Sequence, residues 1–210
     1  MDAMADVPRV RSTKRCVVVF LFGYPGSGKT TVGRRLAGLF GKRYVDCDAL
    51  YTAEDMHKIK ALTMAIDDAS DFLDRVVKHL ESFAHEDIII ASQSLFYRHD
   101  RRRLRERFGN RLVLVYLDVS VELSVQRIAQ REASDTLLGK SAFYTADLWL
   151  KEVEYFEEAD EFDIKVTPTM NVDGVVQAIV HGLKAASEDK SPVNITSKIL
   201  RGVLAPLRYD

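Results

Sequence analysis

Apolar and polar positions fall along this chain in blocks of two kinds. Val17–Phe22 is an unbroken run of β-branched, leucine and aromatic residues, and similar runs occupy 87–91 and 112–118. Uninterrupted apolar runs of this length are the pattern of strands buried on both faces. Shorter runs at 42–46 and 162–167 predict two further strands, the second ended by Pro168. Between them lie amphipathic stretches. In 30–40, Val32, Leu36, Leu39 and Phe40 recur at helical spacing. Helices are also predicted over 54–62, 67–83, 100–108, 121–131, 144–156 and 172–186. Alternating strands and helices imply an α/β three-layer sandwich around a central five-stranded parallel sheet.

Three segments break the pattern. Residues 1–15 precede the first strand and predict a flexible N-terminus. Residues 132–143 have weak periodicity and hold Ser134, Asp135, Gly139, Lys140 and Ser141, which predicts a mobile lid. The run Ser-Glu-Asp-Lys-Ser-Pro opens a C-terminal tail over 187–210, leaving 16–186 as the domain.

Composition narrows the function classes. The chain has 210 residues, 47% hydrophobic and 29% charged, with 30 basic against 31 acidic side chains. A net charge of −1 supplies no bulk field toward nucleic acid or an anionic membrane. Cys16 and Cys47 form neither a disulfide framework nor a metal-ligand spacing. No apolar run approaches the ~20 residues of a membrane-spanning helix. A cytoplasmic protein without a membrane partner, monomeric or homodimeric, is the expectation.

The turn after the first strand carries the chemistry. Gly23-Tyr24-Pro25-Gly26-Ser27-Gly28-Lys29-Thr30 fits G-x-x-x-x-G-K-[ST]. Backbone N–H groups that wrap a polyphosphate need small side chains and positive φ, which Gly23, Gly26 and Gly28 allow. The following helix turns its positive N-terminal dipole toward the anion. Lys29 is placed to reach the terminal phosphates, and the Thr30 hydroxyl to bind Mg²⁺. The strand before and the helix after are predicted independently of the motif. The fold expectation is therefore a P-loop NTPase sandwich, with ATP bound by Gly23, Tyr24, Pro25, Gly26, Ser27, Gly28, Lys29, Thr30 and Thr31.

Asp46-Cys47-Asp48 follows the second strand. Strand ends line the ligand crevice of such sheets. If the second strand neighbours the first, both carboxylates lie near the transferred phosphate, and strand alternation sends them to opposite sides. Asp46 is then the metal-side residue and Asp48 the base for an attacking hydroxyl.

These residues resemble the small P-loop kinases, most closely the gluconate kinases, with shikimate kinases a step away. The likeness spans roughly residues 16–186. The phosphate loop with its helix, and Tyr44-Val45-Asp46-Cys47-Asp48, are shared by both groups. Three stretches resemble gluconate kinase: 50–59, Ile66-Asp67-Asp68, and Ala91-Ser92-Gln93-Ser94-Leu95 before a basic helix. The segment 143–156 resembles that family's helix after the lid. The Phe-Arg pair and triple glycine of shikimate kinases are missing. The resemblance implies an ATP-dependent, Mg²⁺-assisted kinase acting on a small-molecule acceptor, gluconate or a related sugar acid. It also implies that Arg127 and Arg131, one helical turn apart, are the pre-lid arginines that neutralise the transferring phosphoryl group. The sequence departs from gluconate kinases at Tyr51, Ser70 and Phe96, where that family has His, Arg and Lys. Losing an Arg and a Lys weakens a site for a carboxylate, which charged donors hold best.

Other features carry less. Arg98, Arg101, Arg102, Arg103, Arg105 and Arg107 predict a solvated basic helix. The sharper alternative is that Arg98 or Arg102 holds an anionic acceptor. A nucleic-acid contact is not expected, because no stacking platform accompanies the charge. Trp149 and Tyr144 read as packing residues. Thr167, Pro168 and Thr169 fall where these kinases hold adenine. The competing functions are a nucleoside, nucleotide or polynucleotide kinase, and a nucleotide-binding subunit without turnover.

Overall fold

A computed structural model of the chain describes residues 16–137, 144–168 and 171–188. The expected N-terminal segment 1–15, Gly139, Lys140 and Ser141 of the expected lid, Thr169, and residues 189–210 of the tail lie outside the described residues. Five strands form one sheet: β1 (Val17–Phe22), β2 (Arg43–Asp46), β3 (Ile88–Ser92), β4 (Leu112–Leu117) and β5 (Ile164–Val166). All neighbouring pairs are parallel, in the order β2-β3-β1-β4-β5. The five-stranded parallel sandwich read from the sequence is the fold observed.

The apolar alternation along β1 sorts the core into two layers. Val17, Val19 and Leu21 pack with α1 (Lys29–Phe40) and α7 (Val172–Glu188) on one face of the sheet. Val18, Phe20 and Phe22 pack with α3 (Ile66–Glu81) and α4 (Arg98–Phe108) on the other. β1 is the centre of this sheet, and none of its six residues exceeds 2% exposure. Two further helices, α2 (Ala53–Ala61) and α5 (Val121–Leu137), and the short α6 (Ala146–Glu152) complete the described helices.

Three expectations are corrected. β2 does not neighbour β1, because β3 lies between them. The reason is polarity: all five residues of β3 are buried, whereas Arg43-Tyr44-Val45-Asp46 is only partly so. The wholly apolar strand takes the interior slot, and the short charged one takes the edge. The helix predicted over 121–131 continues to Leu137, through Ser134 and Asp135 of the expected lid. An exposed helix needs no apolar periodicity, and Leu137 is 88% exposed. The Ser134 hydroxyl donates to the Gln130 carbonyl at 2.9 Å, within the helix. The segment 144–156 is also shorter than predicted as a helix. Thr145 caps α6 by accepting from the Leu148 amide, and a 3₁₀ turn over Val153–Tyr155 follows.

Candidate active site

The β1–α1 turn adopts the backbone that its glycines permit. Gly23, Gly26 and Gly28 all have positive φ. At Gly26 a Cβ would stand 2.7 Å from the Ser124 carbonyl oxygen, and at Gly23 one would stand 2.6 Å from that of Leu117. Neither position accepts a side chain without moving backbone. The loop is also tied from outside, since the Ser124 hydroxyl donates to the Pro25 carbonyl at 2.5 Å. Ser27 is fully buried, and its Oγ has no hydrogen-bond partner among the described residues. A buried hydroxyl left unpaired beside a glycine-lined cradle suits a ligand rich in acceptor oxygens.

Lys29 faces this turn. Its Nζ donates to the carbonyl oxygens of Gly23 at 2.9 Å and Tyr24 at 2.8 Å. Burial pulls its ammonium down to about 8, against the attraction of Asp48 and Asp46. Thr30, the next residue, donates its hydroxyl to Asp46 Oδ2 at 3.4 Å. Two hard oxygen donors thus meet beside the loop, which fits Mg²⁺, an ion that keeps several waters and uses few protein ligands. Among the described residues, no group of three or more His, Cys, Asp or Glu forms a metal site.

Asp46 ends β2, but Asp48 lies in a 3₁₀ turn, Cys47–Leu50. Strand alternation therefore does not separate the pair. The turn does, and it still brings both carboxylates within electrostatic reach of Lys29 although β2 is one strand removed from β1. Asp48 opens into the central cavity, yet protein surrounds it. Burial lifts its carboxyl to about 6, with Lys29 pulling down and Asp46 pushing up.

Arg127 and Arg131 come from α5. Arg127 Nη1 lies 3.4 Å from the carbonyls of both Gly26 and Ser27, and its Nη2 donates to Pro168 at 3.1 Å. Arg131 bears electrostatically on Lys29 and Asp48. Lys29, Asp48, Arg127 and Arg131 line one cavity of about 730 Å³ with residues 25–28, Thr30 and Thr31; Gly23 and Tyr24 lie behind this lining, and Asp46 touches it through Thr30. Pro168, from the region expected for adenine, lines the same cavity.

Beyond Asp48 the lining changes. Tyr51 stacks on Phe72, centroids 3.9 Å apart, and its hydroxyl accepts from Gln93 Nε2 at 2.9 Å. Phe96 joins Tyr24, Trp149 and Phe156 in an aromatic cluster. Trp149 is fully buried there, a packing residue as expected. Tyr144 is not only packing: it lines the cavity and donates its hydroxyl to Glu152. Ser70 turns toward α4 and accepts from Arg103 Nη1 at 2.8 Å.

The arginines of the basic helix do not line the cavity, nor are they simply solvated. Arg98 pairs with Asp160, Arg102 with Glu161, Arg103 with Asp74, Arg105 with Asp163 and Arg107 with Glu81. Arg101 is fully buried and donates to the carbonyls of Leu95 and Glu158 at 2.8 Å. Arg98, Arg101, Arg102 and Arg105 fasten α4 to the acidic segment 157–163, and Arg103 and Arg107 fasten it to α3. The acidic segment supplies Glu157, Glu158, Asp160, Glu161 and Asp163, and its match to the helix charge was the available signal. Ser124 was also missed, although it stands one turn before Arg127. Glu152 carried no sequence signal.

Comparison with known proteins agrees with this geometry. A family model described as shikimate kinase matches residues 25–184. A shikimate kinase of Persephonella marina is 26% identical over 182 residues, covering 87% of this chain and 96% of that protein. A shikimate kinase of Parabacteroides distasonis is 30% identical over 175 residues, covering 80% and 95%. Among solved structures, a gluconokinase from Sinorhizobium meliloti 1021 superposes with a TM-score of 0.68 at 23% identity, covering 82% of this chain and 94% of that one. That likeness speaks for the fold. Both groups named from the sequence thus return, with shikimate kinase carried by the family model. No helix among the described residues is long and apolar enough to cross a membrane.

Proposed function

The chain belongs to the shikimate kinase family, and from that premise we propose that it transfers the γ-phosphoryl group of ATP to a hydroxyl of a small molecule, with Asp48 as the base. ATP-dependent kinase chemistry on a small molecule is the family's common ground. The observation that supports Asp48 most directly is its electrostatic coupling to Lys29 across the cavity. A cationic donor on the phosphate loop and a carboxylate raised to about 6 face one cavity.

The residue roles follow from their positions. Amides of Gly26, Ser27 and Gly28 hold the phosphates, and Lys29 exchanges its loop carbonyls for terminal phosphate oxygens. Thr30 and Asp46 would hold Mg²⁺, which neutralises charge on the triphosphate. Asp48 accepts the acceptor's proton as its oxygen bonds to the γ-phosphorus and the bond to ADP breaks. Arg127 and Arg131 offset charge on the group in transfer.

The sequence resemblance favours gluconate or a related sugar acid. Tyr51, Ser70 and Phe96 give a carboxylate no charged donor, and Ser70 faces α4. We therefore read the acceptor as a small hydroxy compound selected by other groups of the cavity. Acceptor-stimulated ADP release by the wild type and by Asp48→Asn tests the reading. Turnover should fall about 10²–10⁴-fold in the variant while binding of a non-hydrolysable ATP analogue persists. Undiminished turnover removes Asp48 from the mechanism.

A further inference from the structure

The cavity has two charge environments. Its cationic side chains among the described residues are Lys29, Arg127 and Arg131, and all three serve the phosphate loop or Asp48. The wall beyond Tyr51 carries carboxylates instead. Glu152 lines it half-buried at the last position of α6, where the helix carbonyls disfavour a negative charge. Its electrostatic neighbours are Tyr51, Tyr97 and Tyr144. The Tyr144 hydroxyl donates to it, and no cation among the described residues forms an ion pair with it. Asp100, buried on the same wall beside Tyr97, faces the cavity too.

A half-buried carboxylate without a cation among the described residues is costly, and the tyrosines around it offer hydroxyls and ring faces that suit an ammonium group. A carboxylate acceptor would meet Glu152 as a like charge.

We propose that the acceptor is an amino alcohol: its hydroxyl points at Asp48, and its ammonium is received by Glu152 between Tyr51 and Tyr97. The idea rests on the kinase reading above and names the substrate class of that same site. In the transfer the hydroxyl oxygen bonds to the γ-phosphorus, the bond to ADP breaks and the proton passes to Asp48. The ammonium takes no part in the bond changes.

Two matched sets of acceptors test it. Glucamine, glucitol and gluconate differ only at one terminus, as do para-aminomethylbenzyl, para-methylbenzyl and para-carboxybenzyl alcohol. Radiolabelled phosphate transfer is measured for each, with binding of a non-hydrolysable ATP analogue in parallel. We expect kcat/KM for the amine member to exceed its acid counterpart by about tenfold or more, the discrimination a charged partner gives. Glu152→Gln should erase that preference. Glu152→Lys should invert it, so the two variants do not depend on one substitution folding. An acid preference in the wild type overturns the proposal, as does an amine preference that survives both variants. Nucleotide binding without transfer to either amine also overturns it. Failure to bind the ATP analogue at all refutes the kinase reading beneath it.

Discussion

The two ends of the cleft are built on different principles. The phosphate end is made of backbone: three positive-φ glycines, the start of α1, and a lysine clamped onto two carbonyls of its own loop. Its parts are contiguous in sequence. The acceptor end is made of side chains from α3, α4, α6 and the 3₁₀ turn after β2, which meet only in the folded chain. One end is fixed in its chemistry by geometry that few residue types satisfy. The other can change ligand by exchanging side chains on a fixed frame. The arginines of α4 illustrate that freedom, since they hold the frame and leave the cavity to others.

The largest expected effect lies at the phosphate end. Lys29→Ala should lower turnover by about 10³-fold and weaken ATP-analogue binding. Retained affinity and turnover would make the two ends equally dispensable and break the comparison. Next comes the frame. Arg101→Ala leaves the carbonyls of Leu95 and Glu158 without this donor, so unfolding in urea should show a loss of about 3 kcal/mol. A loss below about 1 kcal/mol would mean that α4 is not fastened through this residue.

The pH profile distinguishes the two charged partners. Asp48, raised by burial to about 6, accepts a proton only when ionised, so kcat/KM should rise with pH through about 6. Lys29, lowered by burial to about 8, holds phosphate only when protonated, so kcat/KM should fall above about 8. Each limb approaches a tenfold change per pH unit. The acid limb should vanish in Asp48→Asn, and its persistence there would assign it elsewhere. The smallest effect is expected from Arg102→Ala. An exposed pair with Glu161 contributes under about 1 kcal/mol, and acceptor KM should not move. A large rise in KM would restore the basic helix as an anion site.

The phosphate end was legible because its requirements are local. Positive φ at Gly26, a donor at Lys29 and a hydroxyl at Thr30 are fixed by adjacent residues, and the flanking strand and helix announce themselves by periodicity. The acidic pair was half legible. Asp46 and Asp48 do approach Lys29, but not by the neighbouring-strand route, because β3 takes the interior slot beside β1. The extension of α5 to Leu137 was hidden by its exposure, since a helix with no face to bury leaves no apolar rhythm.

The amino-acid sequence by itself determined the sandwich, the nucleotide loop and the class of chemistry, since hydrophobic period and backbone conformational preference act over a few residues. Only the tertiary structure decided that the arginines of α4 are spent on acids of α3 and of segment 157–163, that Ser70 turns away, and that Glu152 enters the cavity. Those outcomes depend on which distant side chains meet, and pairing energies between distant residues have no trace in local order.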